Sequence, residues 1–299
     1  MRALFLLLGL CLTTTALAGQ GYTLPGSQVE TLSSGGGDYQ VMTYVPEGAP
    51  PAAGWPVIYL LDGNATFPLA AGMMSADSCA RCEMQPGVIV AVGYPGASRR
   101  DVDYRPATEQ VTLESNPAGG TYPPGAPGNA QAFYHFVETV LKPHIAAQWP
   151  INTHQQALFG HSYGGLFAVY TGLTHPQAFR HIYAASPSVW WNDRYLNKLA
   201  AQTLKQTSPV WPERMRLTVG EFEQSLQQSE MTLPEKQREL LAKHRQQRAM
   251  VDGVRELAWT LQTAPAGKEH VSFMLYPGQS HQTVMPLALQ DALLDHFAR

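Results

Sequence analysis

Cysteine and charge are both scarce in this chain. It holds 3 cysteines in 299 residues, and Asp, Glu, Lys and Arg together make up only 14%. A disulfide-built mini-fold is thereby excluded. With 44% hydrophobic residues the chain is long enough to bury one large core unaided. The formal net charge of −3, with so few charged residues, argues against a nucleic-acid or polyanionic-membrane surface. No segment beyond the N-terminus carries the about 20 consecutive apolar residues that a bilayer crossing takes. Zinc ligation has no support either, because Cys79 and Cys82 lack a second pair of ligands.

The N-terminus reads as a processing signal. Arg2 supplies a positive start, Leu4 to Leu12 a short apolar run, and Ala16-Leu17-Ala18 the small residues of a cleavage site. Residues 1–18 are therefore expected to be a signal peptide and residues 19–299 a single catalytic domain. Cys11 would leave with the signal. In an oxidising compartment Cys79 and Cys82, three apart in a polar loop, are expected to close a small disulfide that stiffens the loop locally.

Pro and Gly are plentiful, 23 and 26, and they punctuate strongly apolar segments. Val57 to Leu61 and Val88 to Val92 are unbroken apolar runs, the mark of strands buried on both faces. Gln156 to Phe159, His181 to Ala185, Leu217 to Val219 and Val271 to Leu275 extend the series, and Tyr39 to Val45 is an earlier strand after a polar lead-in. Helical patterns alternate with them. One starts at Asn129 and is kinked or restarted by Pro143. Another is expected from the capping-box spacing of Thr232 and Glu235 through Leu240, His244, Val251, Val254, Ala258 and Leu261, and a last one from Pro286. Such alternation predicts a mostly parallel sheet covered on both faces. The aperiodic segment 99–128 is expected to lie over the ligand site at the carboxyl ends of the strands.

The most specific signal is Gly160-His161-Ser162-Tyr163-Gly164, between the strand Gln156–Phe159 and a helical stretch. This is the G-x-S-x-G elbow in its required context, with Ser162 as the candidate nucleophile. Glycines two before and two after let strand and helix approach. The chain order of this fold, Ser then acid then His, points to His281 as the base, in the loop before the last helix. The acid is left open. Glu223 is favoured over Glu221, both following the strand Leu217–Val219, with Asp252 or a Ser–His pair without an acid as alternatives. Backbone N–H groups of Tyr163 and of Gly63 or Asn64 are expected to form an oxyanion hole. Asp62 is expected to brace the loop.

Tyr59-Leu60-Leu61-Asp62-Gly63, the elbow, and Ala185-Ser186-Pro187-Ser188-Val189-Trp190-Trp191 together resemble the Putative esterase family of α/β hydrolases, over nearly the whole mature chain. Within it they are similar to the periplasmic esterases of trilactone siderophores such as enterobactin. Arg100-Asp101-Val102-Asp103-Tyr104-Arg105-Pro106 resembles a segment of that branch, with Arg105 in a slot often filled by Thr. The resemblance implies a three-layer α/β-hydrolase sandwich without a large lid domain, a periplasmic location, and hydrolysis of catecholate-siderophore esters without a cofactor, the iron being part of the substrate. Arg99 or Arg100 would then pair with catecholate oxygens, and Trp190 or Trp191 would stack on a ring. Two other readings remain: a secreted carboxylesterase or thioesterase for other acyl or aromatic esters, and a siderophore-binding protein without catalysis.

Overall fold

The structure is a computed structural model that describes residues 22–77, 82–123 and 125–299. The expected signal peptide and Cys79, half of the expected Cys79–Cys82 pair, lie outside the described residues.

The apolar runs form the middle of one eight-stranded sheet in the order β1-β2-β4-β3-β5-β6-β7-β8. The strands are β1 (Ser27–Ser34), β2 (Gly37–Tyr44), β3 (Trp55–Leu60), β4 (Val88–Gly93), β5 (Ile151–His161), β6 (His181–Ala185), β7 (Arg214–Gly220) and β8 (Val271–Tyr276). β3 to β8 are mutually parallel, while β1 and β2 pair antiparallel at one side. β1 falls in the stretch read from sequence as a polar lead-in. Its residues are only half-buried or exposed, so an edge strand of this kind leaves no apolar run to read.

Every residue of β3 and β4 is buried, and the pleat sends alternate side chains into two cores. Val57, Tyr59, Val88 and Val90 enter one core. Ile58, Leu60, Ile89 and Ala91 enter the other. Helices α1 (Gly63–Asp77) and α10 (Val284–His296) cover the second face through Phe67, Met74, Leu289 and Leu293. The first face is covered by α3 (Ala130–Phe136), α4 (Lys142–Gln148), α5 (Tyr163–Thr174), α6 (Trp191–Thr203) and α8 (Met250–Gln262). The result is a three-layer α/β-hydrolase sandwich. The short helices α2 (Arg100–Asp103) and α9 (Gly267–His270) and the exposed helix α7 (Glu235–Arg248) complete the set.

Three local expectations change. The long helix expected after Thr232 is two helices, because Ala249 takes a left-handed conformation (φ 45°) between α7 and α8. Thr232 caps no helix; it closes a 3-10 turn and donates to the Ser229 carbonyl, and α7 starts after Pro234. The restart expected at Pro143 is made by a π-turn over Val137–Leu141, with Pro143 in the first turn of α4.

Beneath the sheet two histidines meet in the dry interior. His296 Nε2 lies 3.0 Å from the Val57 carbonyl, which can only accept, so Nε2 carries the hydrogen. His296 Nδ1 then accepts from His181 Nδ1 at 3.1 Å. Burial, with His181 beside it, lowers the His296 pKa to about 3. A histidine held neutral in the fold binds fewer protons than when unfolded. Its contribution is therefore full above about pH 6.5 and is lost as pH falls towards the folded value. His296→Gln should lower stability at pH 7 and flatten the decline between about pH 6.5 and 4 by close to one proton. Urea unfolding across that range tests this, and an unchanged slope refutes it.

Candidate active site

The elbow is built by steric necessity. A Cβ on Gly160 would sit 2.1 Å from the Gly164 carbonyl oxygen, so strand β5 and helix α5 touch backbone to backbone where the chain turns. Gly165 is equally constrained, since a Cβ there would meet the Ala185 carbonyl and Pro187 at 2.9 Å. Ser162 between them adopts φ 60°, ψ −117°, which an L residue holds only when its surroundings impose it, at a cost of order 1–3 kcal/mol. Those surroundings are specific. The Ser162 N–H donates to the Ala185 carbonyl at 3.0 Å, and its carbonyl accepts from the N–H groups of Leu166 and Ser188. The hydroxyl makes no cap bond to the helix and stands 3.5 Å from Ser188 Oγ.

A single 3-10 turn sends the two candidate carboxylates in different directions. β7 ends at Gly220, and Glu221–Glu223 coil once. Glu223 turns inward, with its side chain 1% exposed, and places Oε2 2.6 Å from His281 Nδ1. Its other oxygen accepts from the Gly220 N–H at 2.7 Å and from Ser186 Oγ at 2.5 Å. A buried carboxylate is tolerable only with such a set of donors. Bonding at Nδ1 leaves Nε2 as the basic nitrogen of the ring. Glu221 turns outward and accepts from the Gly278 N–H, bracing the loop that carries His281. Asp252 is exposed and bonded to Gln224 and Arg255.

Ser162, Glu223 and His281 line one cavity of about 230 Å³. A second, of about 340 Å³, also reaches Ser162 and is walled by Leu113, Tyr122 and Pro123 of the aperiodic segment, as expected for a loop over the site. His161, whose ring centroid is 4.5 Å from that of His281, is kept neutral. Burial, and then the neighbouring imidazole, lowers its pKa to about 3. Among the described residues no group of three or more His, Cys, Asp or Glu side chains is placed to hold a metal ion.

A family model described as "Putative esterase" matches residues 33–261. The chain belongs to that family. A ferri-bacillibactin esterase of Bacillus subtilis is 32% identical to it over 284 residues, 91% of this chain and 90% of that protein. An apo-salmochelin esterase of Escherichia coli O6:H1 is 35% identical over 156 residues, 50% of this chain and 47% of its own length. The structure of a siderophore hydrolase from Aspergillus nidulans superposes with a TM-score of 0.80 at 26% identity, covering 94% of this chain and 98% of that one.

In this esterase family member the segment Ser186 to Trp191 touches both the elbow and Glu223. Ser186 donates to Glu223, Pro187 packs on Gly165, and Ser188 adjoins the Ser162 hydroxyl. The support from Ser186 and Ser188 was not anticipated from sequence. Trp191 is 1% exposed in the core, so it is not the ring that meets a ligand; Trp190 lines both cavities. The two arginines expected to bind ligand are engaged elsewhere. Arg100 makes a bidentate pair with Asp62 at 2.8 and 3.0 Å and donates to the His161 carbonyl, so Asp62 does brace the loop. Arg99 lies over the rings of Tyr39 and Tyr94 and donates to the Asp38 carbonyl. Arg105, the departure from the family pattern, is buried and donates to the Asp101 and Ala126 carbonyls, tying the overlying segment to α2.

At the start of α1, Gly63 leaves no room for a side chain against Met42 and the Val92 backbone. The Asn64 side chain is occupied by Tyr94 and Gln40, so only backbone groups of these two residues could serve a substrate.

The two glutamates should separate in activity. Glu223→Gln is expected to lower kcat/KM for a simple aryl ester by about 10²–10⁴-fold, the range for loss of a triad acid, and Glu221→Gln by less than about ten-fold. Equal losses in the two variants would refute the distinction.

Proposed function

We propose that this protein is an exported serine esterase that opens the ester bonds of a catecholate trilactone siderophore and thereby weakens its hold on iron. The observation that carries the chemistry is the convergence of Ser162, His281 and the buried Glu223 on one cavity. The substrate class is supported by family membership and by relatives whose names specify siderophore esters. An aromatic, arginine-bearing wall at that cavity suits a catecholate ligand.

In this reading His281 Nε2 takes the proton of Ser162 Oγ as the oxygen attacks the ester carbonyl. Glu223 holds the ring in the required tautomer and stabilises the imidazolium that forms. The developing oxyanion is received by the Tyr163 N–H, at the start of α5, and by an N–H of Gly63 or Asn64 at the start of α1. Collapse breaks the bond to the alcohol oxygen, which takes the proton from His281 and leaves an acyl-Ser162. Water then adds to that acyl group, gives its proton to His281, and Ser162 departs with that proton as the free acid is released. The neutral His161 beside His281 adds no positive charge that would disfavour the imidazolium.

Export follows from the Arg2 start, the apolar run and the Ala16-Leu17-Ala18 site, with cleavage near Gly19, a periplasmic location and a Cys79–Cys82 disulfide.

Ser162→Ala should reduce hydrolysis of both a trilactone siderophore and an aryl ester by about 10⁵–10⁶-fold, with substrate affinity within a few-fold of wild type. It should also abolish labelling by a fluorophosphonate. Chromatography of products from iron-loaded and metal-free enterobactin, run beside the aryl ester, checks the substrate. Turnover of the aryl ester with neither form of the trilactone opened would refute the siderophore reading and leave a general carboxylesterase.

A further inference from the structure

Three adjoining cavities, of about 340, 130 and 230 Å³, share two lining residues, Trp190 and Arg248. The first and last also share Ser162, so the pair forms a post beside the nucleophile. Arg248 is the last residue of α7, and its guanidinium carbon stands 4.0 Å from the centre of the Trp190 ring, within cation–π distance. One face of the indole is thereby covered, so the plane beside the nucleophile is a guanidinium backed by tryptophan.

The other cations of these walls are engaged. Arg105 is buried on two carbonyls, and Arg245 is paired through two 2.6 Å bonds with Glu230. Arg248 differs. Its Nε is buried with no hydrogen-bond partner among the described residues, and its acidic neighbour, Glu114 Oε2, is 3.5 Å away. Glu114 is already shared, since its other oxygen accepts from the Tyr163 hydroxyl at 3.1 Å. Arg248 is thus a partly buried cation whose acidic neighbour is not at close range, held against an aromatic ring in the walls of the two cavities that reach Ser162.

What would complete it follows from charge. A metal-free catechol is neutral at pH 7, because phenols titrate near about 10. Iron(III) displaces both hydroxyl protons of each of three catechols, and the complex carries three negative charges. The related proteins divide on this property: one is named for a ferric substrate and another for an apo substrate. We propose that Arg248, stacked on Trp190, selects the anionic, iron-loaded siderophore over the neutral metal-free form by meeting catecholate oxygens and a ring face together. This rests on the esterase reading above. Glu114 sets the strength of the preference, because its carboxylate competes with the ligand for the same guanidinium.

The test compares kcat/KM of wild type, Arg248→Gln and Glu114→Gln for iron-loaded and metal-free trilactone and for a neutral aryl ester. Arg248→Gln should cost about ten-fold or more on the iron-loaded substrate, as expected for a lost charge-assisted bond, and less than about two-fold on the other two. Glu114→Gln should shift the ratio of iron-loaded to metal-free turnover the opposite way. Equal losses on both forms in Arg248→Gln, or no loss on either, would overturn the inference. A second measurement is independent of turnover: titration of intrinsic fluorescence with the iron-loaded trilactone in a Ser162→Ala background. Adding Arg248→Gln should weaken binding by a similar factor. An unchanged dissociation constant, or absence of binding before that change is added, overturns the inference whether or not any trilactone is cleaved.

Discussion

The site depends on a contact in which no side chain takes part. Gly160 and Gly164 abut where β5 turns into α5, and that approach lets Ser162 take its positive-φ conformation with the hydroxyl uncommitted to the helix. The strain is balanced by bonds to neighbouring strands and loops, above all from the Ser162 N–H to the Ala185 carbonyl. β6 and the segment after it are therefore part of the nucleophile's support although they carry no reacting atom. Any change that separates β5 from β6 would relax the turn, lower the local energy and withdraw the hydroxyl.

The same segment links Ser162 to Glu223. Ser186, itself at φ 45°, donates to Glu223, and its N–H donates to the Thr218 carbonyl on β7. Glu223 then fixes His281. Ser162, Glu223 and His281 follow the ends of three parallel strands, and the connecting bonds run across those ends in strand order. Without its Ser186 and Gly220 donors, Glu223 would keep a buried oxygen unpaired and hold the imidazole less firmly. Ser186 therefore reaches His281 through two hydrogen bonds.

How far the sequence reveals this differs from residue to residue, for physical reasons. Ser162 is legible because its constraint is local, two glycines flanking a bend. β3 and β4 are legible because burial on both faces leaves them no polar position. His281 follows from chain order alone. Choosing between Glu221 and Glu223 needs the phase of one turn after Gly220, which no periodicity in three residues can supply. Arg99 and Arg100 carry the right charge for the expected ligand, yet Asp62 and the Tyr39 and Tyr94 rings hold them, partners that only the fold brings near. Arg248 was hidden for a further reason. It precedes a helix break at Ala249 where neither glycine nor proline marks the end, so the stretch reads as one continuous helix and its last cation as one more solvated side chain.

That break gives a chain with few charges a use for one of them. The left-handed Ala249 ends α7 beside the cavities, with Arg248 in the last turn, where the helix dipole favours a cation. Trp190 lies at the end of the Ser-Pro-Ser segment that supports Ser162, so the ring that positions the guanidinium is tied through a few residues to the nucleophile. Binding and chemistry then share one rigid support. A ligand that presses on the post presses on the segment that holds the elbow, and displacement of either would be felt at the other.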